Sequence, residues 1–151
     1  MKAISKEAQA VVEQVIAGMP ASGGHRKVGP EGKAIMALTV ETLPGGEVSL
    51  AHYYRQNGDA MRDPEIVLWK GPDGRFYPVE ITQDNVGLYR RLVEFKDGKP
   101  ARWMPRAQAD AATFMGTWMR NVREQQKDAL AALRAELKAA ARMARPAEVT
   151  P

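Results

Sequence analysis

Four turn signals cut the middle of the chain into short pieces: Pro44-Gly45-Gly46, Asn57-Gly58, Gly71-Pro72-Asp73-Gly74 and Lys96-Asp97-Gly98-Lys99. Each contains residues that tolerate positive φ or preset a turn. The runs between them are rich in β-branched and aromatic residues, as strands require. Residues 33–43 (KAIMALTVETL) and 47–55 (EVSLAHYYR) read as one hairpin, Glu65–Lys70 (EIVLWK) as a third strand and Arg75–Thr82 (RFYPVEIT) as a fourth. Residues 88–95 (LYRRLVEF) fit a fifth strand, and also a helix capped by Asp84; strand is the preferred reading. A parallel crossover needs a dozen or more residues. Connections this short leave room only for an antiparallel meander.

Helices flank the meander. Ala8, Val11, Val12, Val15, Ile16 and Met19 recur at helical spacing, with Ser5 as an N-cap and Gly18 and Pro20 as a stop. From Pro105 the period is helical again: Phe114, Trp118 and Val122 stack at i, i+4, i+8. Burying Trp118 stabilises by a few kcal/mol. The Ala- and Leu-rich run KDALAALRAELKAAARMAR follows, stopped by Pro146. The fold class is therefore α+β: an N-terminal helix, an antiparallel meander of four to five strands, and a long C-terminal helix. The expected organisation is a single domain over residues 1–126, a basic helical arm over 127–146 and a disordered tail over 147–151. Forty helical residues would span about 60 Å, whereas a domain of this length is about 38 Å across. The C-terminal helix must then break near Gln125-Gln126, project as an arm, or pack on a second copy. Leu130, Leu133 and Leu137 are candidates to seed such a homodimer.

Composition narrows the class. The chain has 151 residues, 44% apolar and 26% charged, with no Cys. That is ordinary globular usage, and it excludes disulfides and thiolate metal sites. No apolar run approaches the ~18 residues of a membrane span, and the start of the chain has no signal-peptide core. The expectation is a cytoplasmic protein with no membrane contact.

The stretch 20–33 (PASGGHRKVGPEGK) is rich in Gly and Pro and reads as a loop, flexible over 20–32. A phosphate loop would need Gly at 27 and Ser or Thr at 34; the chain has Lys27 and Ala34, and the stretch follows a helix rather than a strand. The polar segment His52-Tyr53-Tyr54-Arg55-Gln56-Asn57-Gly58-Asp59-Ala60-Met61-Arg62-Asp63-Pro64-Glu65 is a hairpin loop or a polar site at one end of the sheet. His52, Asn57, Asp59, Arg62 and Asp63 are its candidate residues. A metal-dependent nuclease of the PD-(D/E)xK type would use Asp63 and Glu80, with Asp59 nearby, because carboxylates suit Mg²⁺. Thr82 stands where the motif requires Lys. Strand parity puts Tyr77, Val79 and Ile81 on the core side and Glu80 with Phe76 and Pro78 on the other. His52, among Val48, Leu50 and Tyr54, reads as a hydrogen-bonded core residue, and His25 as a loop residue. No metal or other cofactor is assigned, and no serine-hydrolase elbow is present.

Charge gives the clearest pattern. Residues 1–119 hold 15 Lys/Arg and 14 Asp/Glu, whereas residues 120–146 hold seven Lys/Arg and three acids. At ~100° per residue, Arg120, Arg123, Lys127, Arg134, Lys138, Arg142 and Arg145 fall in one sector about 100° wide, beside the stripe of Leu130, Leu133 and Leu137. Such a stripe suits phosphates or an acidic protein surface.

Several segments are similar to a family of small uncharacterised domains carried by bacterial plasmids and integrative conjugative elements: His25-Arg26-Lys27, VSLAHYYRQNGDAMRDPEIVLW, YPVEITQDNVGLY and FMGTWMRNVREQ, over roughly residues 25–126. The core is HYYRQNGDAMRDPE, followed later by Trp118 and Asn121 in a W-x-x-N pattern. The resemblance implies a mobile-element setting and a polar patch of Asn57, Asp59, Arg62 and Asp63; it brings no activity. The expected function is that of a non-enzymatic accessory protein binding nucleic acid or a nucleoprotein partner through Arg120, Arg123, Lys127, Arg134, Lys138 and Arg142. The alternatives are the nuclease or hydrolase above and an antagonist of host defence that binds a partner protein through the HYYRQNGD loop.

Overall fold

In a computed structural model that describes residues 1–32 and 35–144, the N-terminal helix α1 covers Lys6–Ile16. Ser5 Oγ accepts from the Ala8 N–H at 3.1 Å, satisfying one orphan donor of the first turn. Ala8, Val11, Val12 and Val15 are its buried face. Arg26 closes the other end: its Nη1 donates to the Val15 and Ala17 carbonyls at 2.7 and 2.8 Å. A cation there meets the negative end of the helix dipole.

Six strands form one antiparallel sheet in chain order: β1 His25–Val28, β2 Leu38–Leu43, β3 Glu47–Gln56, β4 Asp59–Lys70, β5 Phe76–Gln83 and β6 Leu88–Arg91. β7 Val93–Lys96 and β8 Lys99–Trp103 make a separate two-stranded sheet. The α+β class and the helix–meander–helix order stand, with more strands than expected. β1 lies inside the stretch read as a flexible loop. It pairs His25 to Val28 with Glu41 to Leu38, and of its side chains Val28 alone is buried. An edge strand needs backbone pairing more than an apolar pattern, so its polar sequence hid it. Residues 88–95 are extended but split at Leu92, whose N–H donates to Val79 O at 2.8 Å while the chain passes to the second sheet.

One sheet face carries the main core. Leu38, Val40, Leu50, Ile66, Leu68 and Phe76 pack with α1 and with Met115, Trp118, Met119 and Val122 of α2, Pro105–Gln125. A smaller core gathers Val67, Val79, Leu92, Val93 and Ala111, with Trp69 and Phe95 against it. A register shift between Val67 and Leu68 inserts Val79 as an extra residue. Strand parity reverses there. Phe76, expected on the outer face, is 1% exposed in the main core, while Val79 lies in the second one.

The C-terminal helix breaks at Gln126 (φ −110°, ψ 28°), and α3 continues over Lys127–Met143. Gln126 is buried; its Nε2 donates to Met36 O at 3.2 Å and to Pro30 O at 3.5 Å. Its amide fills the space where a side chain on Gly29 (φ +88°) would stand. α3 then lies along α1 instead of projecting: Leu130 is in the main core, and Leu137 Cδ2 comes within 2.5 Å of where a Gly18 Cβ would be. Two of the leucines read as a dimer seed are thus used within the chain. Arg145, Pro146 and the tail 147–151 lie outside the described residues.

Candidate functional site

The polar segment does not stay together as one patch. Asn57 (φ 53°) and Gly58 (φ 86°) make the tight turn between β3 and β4, with Asp59 exposed beside it. Arg62 turns to Asp84: Nε and Nη2 donate to its two carboxylate oxygens at 3.0 and 3.2 Å, and the Arg62 N–H adds a bond of 2.8 Å. The fork matches the carboxylate and holds the Asp84 carboxyl below its ordinary range. Asp63 lines a polar hollow of about 460 Å³ with Tyr54, Gln56 and Asn85.

His52 leaves the patch altogether. It is buried between β3 and α2, where Trp118 Nε1–H donates to its Nε2 at 2.8 Å and its Nδ1 meets Ala37 O at 3.0 Å. The indole only donates and the carbonyl only accepts, so the ring is the neutral Nδ1–H tautomer. Burial lowers the His52 pKa, against the carbonyl bond and the nearby Asp63 charge, which raise it. The expected core histidine is what the structure shows.

The proposed carboxylate pair is not assembled either. Glu80 accepts from Arg91 Nη1 at 3.1 Å and pairs with Val67, while Thr82 pairs with Glu65. That places Glu80 four positions along β4 from Asp63, roughly 13 Å. A Mg²⁺ ion binds oxygens at about 2.1 Å, so these two groups do not share one. Among the described residues, no group of three or more His, Asp or Glu is arranged to hold a metal.

The cations are differently placed. Arg120 and Arg123 on α2, and Lys127, Arg134, Lys138 and Arg142 on α3, are all exposed. Among the described residues none of the six is in an ion pair, whereas Arg62 and Arg91 each hold two carboxylates. Leu130 packs in the main core and Leu137 against Gly18, just past the end of α1, which brings Arg134, Lys138 and Arg120 to the seam between α1 and the α2–α3 pair. Two clefts open on that seam. Arg134 and Lys138 border one of about 350 Å³ beside Gln14 and Ala17, at the end of α1. Arg120 borders another of about 720 Å³ beside Ser5, at its start. Lys2 and Arg75 join Arg120 there; no local pattern signals this, since three distant segments supply them.

These features define an α+β domain whose helical layer carries an unpaired basic flank. The chain belongs to the family described as Domain of unknown function (DUF6908), which matches residues 3–127. The match ends at Lys127, the first residue of α3, so most of the basic flank lies outside the matched residues. No curated protein and no solved structure matches the chain. Among the described residues, no helix is long and apolar enough to cross a membrane.

Proposed function

We propose that this protein is a non-enzymatic accessory factor of a bacterial mobile element that binds the phosphate backbone of nucleic acid along its helical layer. The observation that carries the reading is the row of six exposed cations on α2 and α3 with no carboxylate partners among the described residues. Other exposed cations, Arg55 and Lys99 among them, are also outside any ion pair among the described residues, so what sets these six apart is their concentration on two consecutive helices. An unpaired row keeps its field for a ligand, and that field reaches about 8 Å at physiological salt. The row is long enough for a polyanion: the 17 residues of α3 alone span about 25 Å. The mobile-element setting rests on the likeness of HYYRQNGDAMRDPE to domains of plasmids and conjugative elements.

Backbone contacts position a protein without reading bases, so binding is largely indifferent to sequence. If four or five cations meet phosphates at once, log K falls against log salt with a slope of about −3.6 to −4.5 on duplex DNA. Fluorescence anisotropy of a labelled duplex, titrated with the full chain between 50 and roughly 200 mM salt, tests this directly. A slope near zero, or no binding at the lowest salt, rejects the reading.

A further inference from the structure

The cleft at the start of α1 is built from residues that the basic row does not predict. Its wall is the segment before α1, and that segment is pinned. Gln108 of α2, 1% exposed, accepts from the Lys2 N–H and donates to the Lys2 carbonyl, both at 2.7 Å. The Ile4 N–H donates to Phe76 O at 2.9 Å. Lys2 is thereby held over α2, where its Nζ donates to Thr113 Oγ1 at 2.9 Å. Arg75, from the turn before β5, reaches in and donates from Nη2 to the Ile4 carbonyl at 3.3 Å. Arg120 enters from α2 one turn beyond Gly116, where the missing side chain leaves room facing Ser5 Oγ.

Lys2 and Arg75 are thus anchored by neutral oxygens. Among the described residues, none of Lys2, Arg75 and Arg120 is in an ion pair. Ser5, Thr113 and Thr117 add hydroxyls to the lining, and Glu7 is the one carboxylate. Three cations against one acid, around about 720 Å³ of open space, suit a compact oxyanion. Because Gln108 and the Ile4–Phe76 bond already fix the wall, little ordering is lost on binding.

We propose that this cleft is a phosphate-binding subsite in which Lys2, Arg75 and Arg120 bind one phosphate group and the Ser5 and Thr117 hydroxyls complete its hydrogen bonds, the Thr113 hydroxyl being spent on the Ala109 carbonyl. The inference deepens the nucleic-acid reading and rests on it for the source of the phosphate, a strand whose backbone continues along the seam. Arg120 links the two regions, since it stands in the cleft and begins the row.

The test is an amide-resolved NMR titration of the full chain, first with inorganic phosphate and then with a 5′-phosphorylated thymidine hexamer. Phosphate should shift the Thr113, Gly116 and Thr117 amides before those of Arg134 and Lys138. The double variant Lys2→Gln, Arg75→Gln should weaken phosphate binding roughly tenfold or more, since it removes two charge-assisted donors. Arg75→Lys, which keeps the charge, should retain affinity within about threefold. Both variants must unfold as cooperatively as the parent chain. Equal shifts along all the exposed cations, or unchanged affinity in the folded double variant, overturn the subsite. If those shifts fail while the duplex still binds with its salt slope, the subsite falls and the helical-layer reading stands. If phosphate binds in the cleft while duplex and hexamer do not, the subsite stands as a site for a free phosphate and the nucleic-acid reading falls.

Discussion

His52 makes stability depend on pH, and the structure fixes the sign. In the folded chain the ring is neutral and buried, donating to Ala37 O and accepting from Trp118. Protonation would set an N–H against the Trp118 N–H. The folded pKa therefore lies below the ordinary value of 6.5, and the unfolded chain binds the proton first. Stability is present in full above about 6.5 and is lost as pH falls below it, with a slope approaching about 1.4 kcal/mol per pH unit. While the folded ring stays neutral, the loss between pH 7.5 and 5.5 is about 1.4 kcal/mol. The assay is urea unfolding at half-unit pH steps in a His25→Gln background, so that one histidine titrates. In His52→Gln the amide accepts from Trp118 and donates to Ala37 without titrating, and the pH dependence over this window should flatten. Parallel pH profiles for the two proteins would refute the tautomer assignment and the burial argument behind it.

Two further predictions concern the break between α2 and α3. Gly29→Ala should destabilise by about 2 kcal/mol or more, because its φ of +88° disfavours a side chain and its Cβ would overlap the Gln126 amide. Gly23→Ala, at φ +77° with nothing within 4 Å, should cost only the backbone part, about 1 kcal/mol; equal losses in urea unfolding would refute the contact. A chain ending at Lys127 should still melt cooperatively, but with stability reduced by at least the roughly 1.5–3 kcal/mol that a buried leucine contributes, here Leu130. Loss of a cooperative transition in calorimetry would make α3 indispensable to the fold.

The turns and the amphipathic helices were legible in the sequence because each rests on local chemistry. Ser5 caps α1, Asn57-Gly58 turns β3 into β4, and Asp97-Gly98 turns β7 into β8, as composition requires. What stayed hidden depends on distant partners. β1 is a strand because β2 offers it an edge, and its residues His25-Arg26-Lys27 carry no apolar signal. The facing of β5 depends on one extra residue at Val79, and a single insertion moves every later side chain to the other face. Gln126 was a plausible break in the helix, but its burial follows from Pro30, Met36 and Gly29 closing around it. The candidate site divides in the same way. The angular sector of Lys127, Arg134, Lys138 and Arg142 needed only the periodicity of α3, but the break at Gln126 interrupts the count to Arg120 and Arg123, and Lys2 and Arg75 join Arg120 in one cleft only through the tertiary fold.

The proposed function requires that cations of the helical layer meet phosphates. Replacing Arg134, Lys138 and Arg142 with Gln keeps helix propensity and removes three charges that have no ion-pair partner among the described residues. The decisive measurement is the salt dependence of duplex binding for the parent chain and for this triple variant, side by side. The slope of log K against log salt should shrink by about 2.7, or about 0.9 for each lost phosphate contact, with thermal unfolding unchanged. An unchanged slope in a folded variant would place any nucleic-acid contact elsewhere and remove α3 as the phosphate-binding surface.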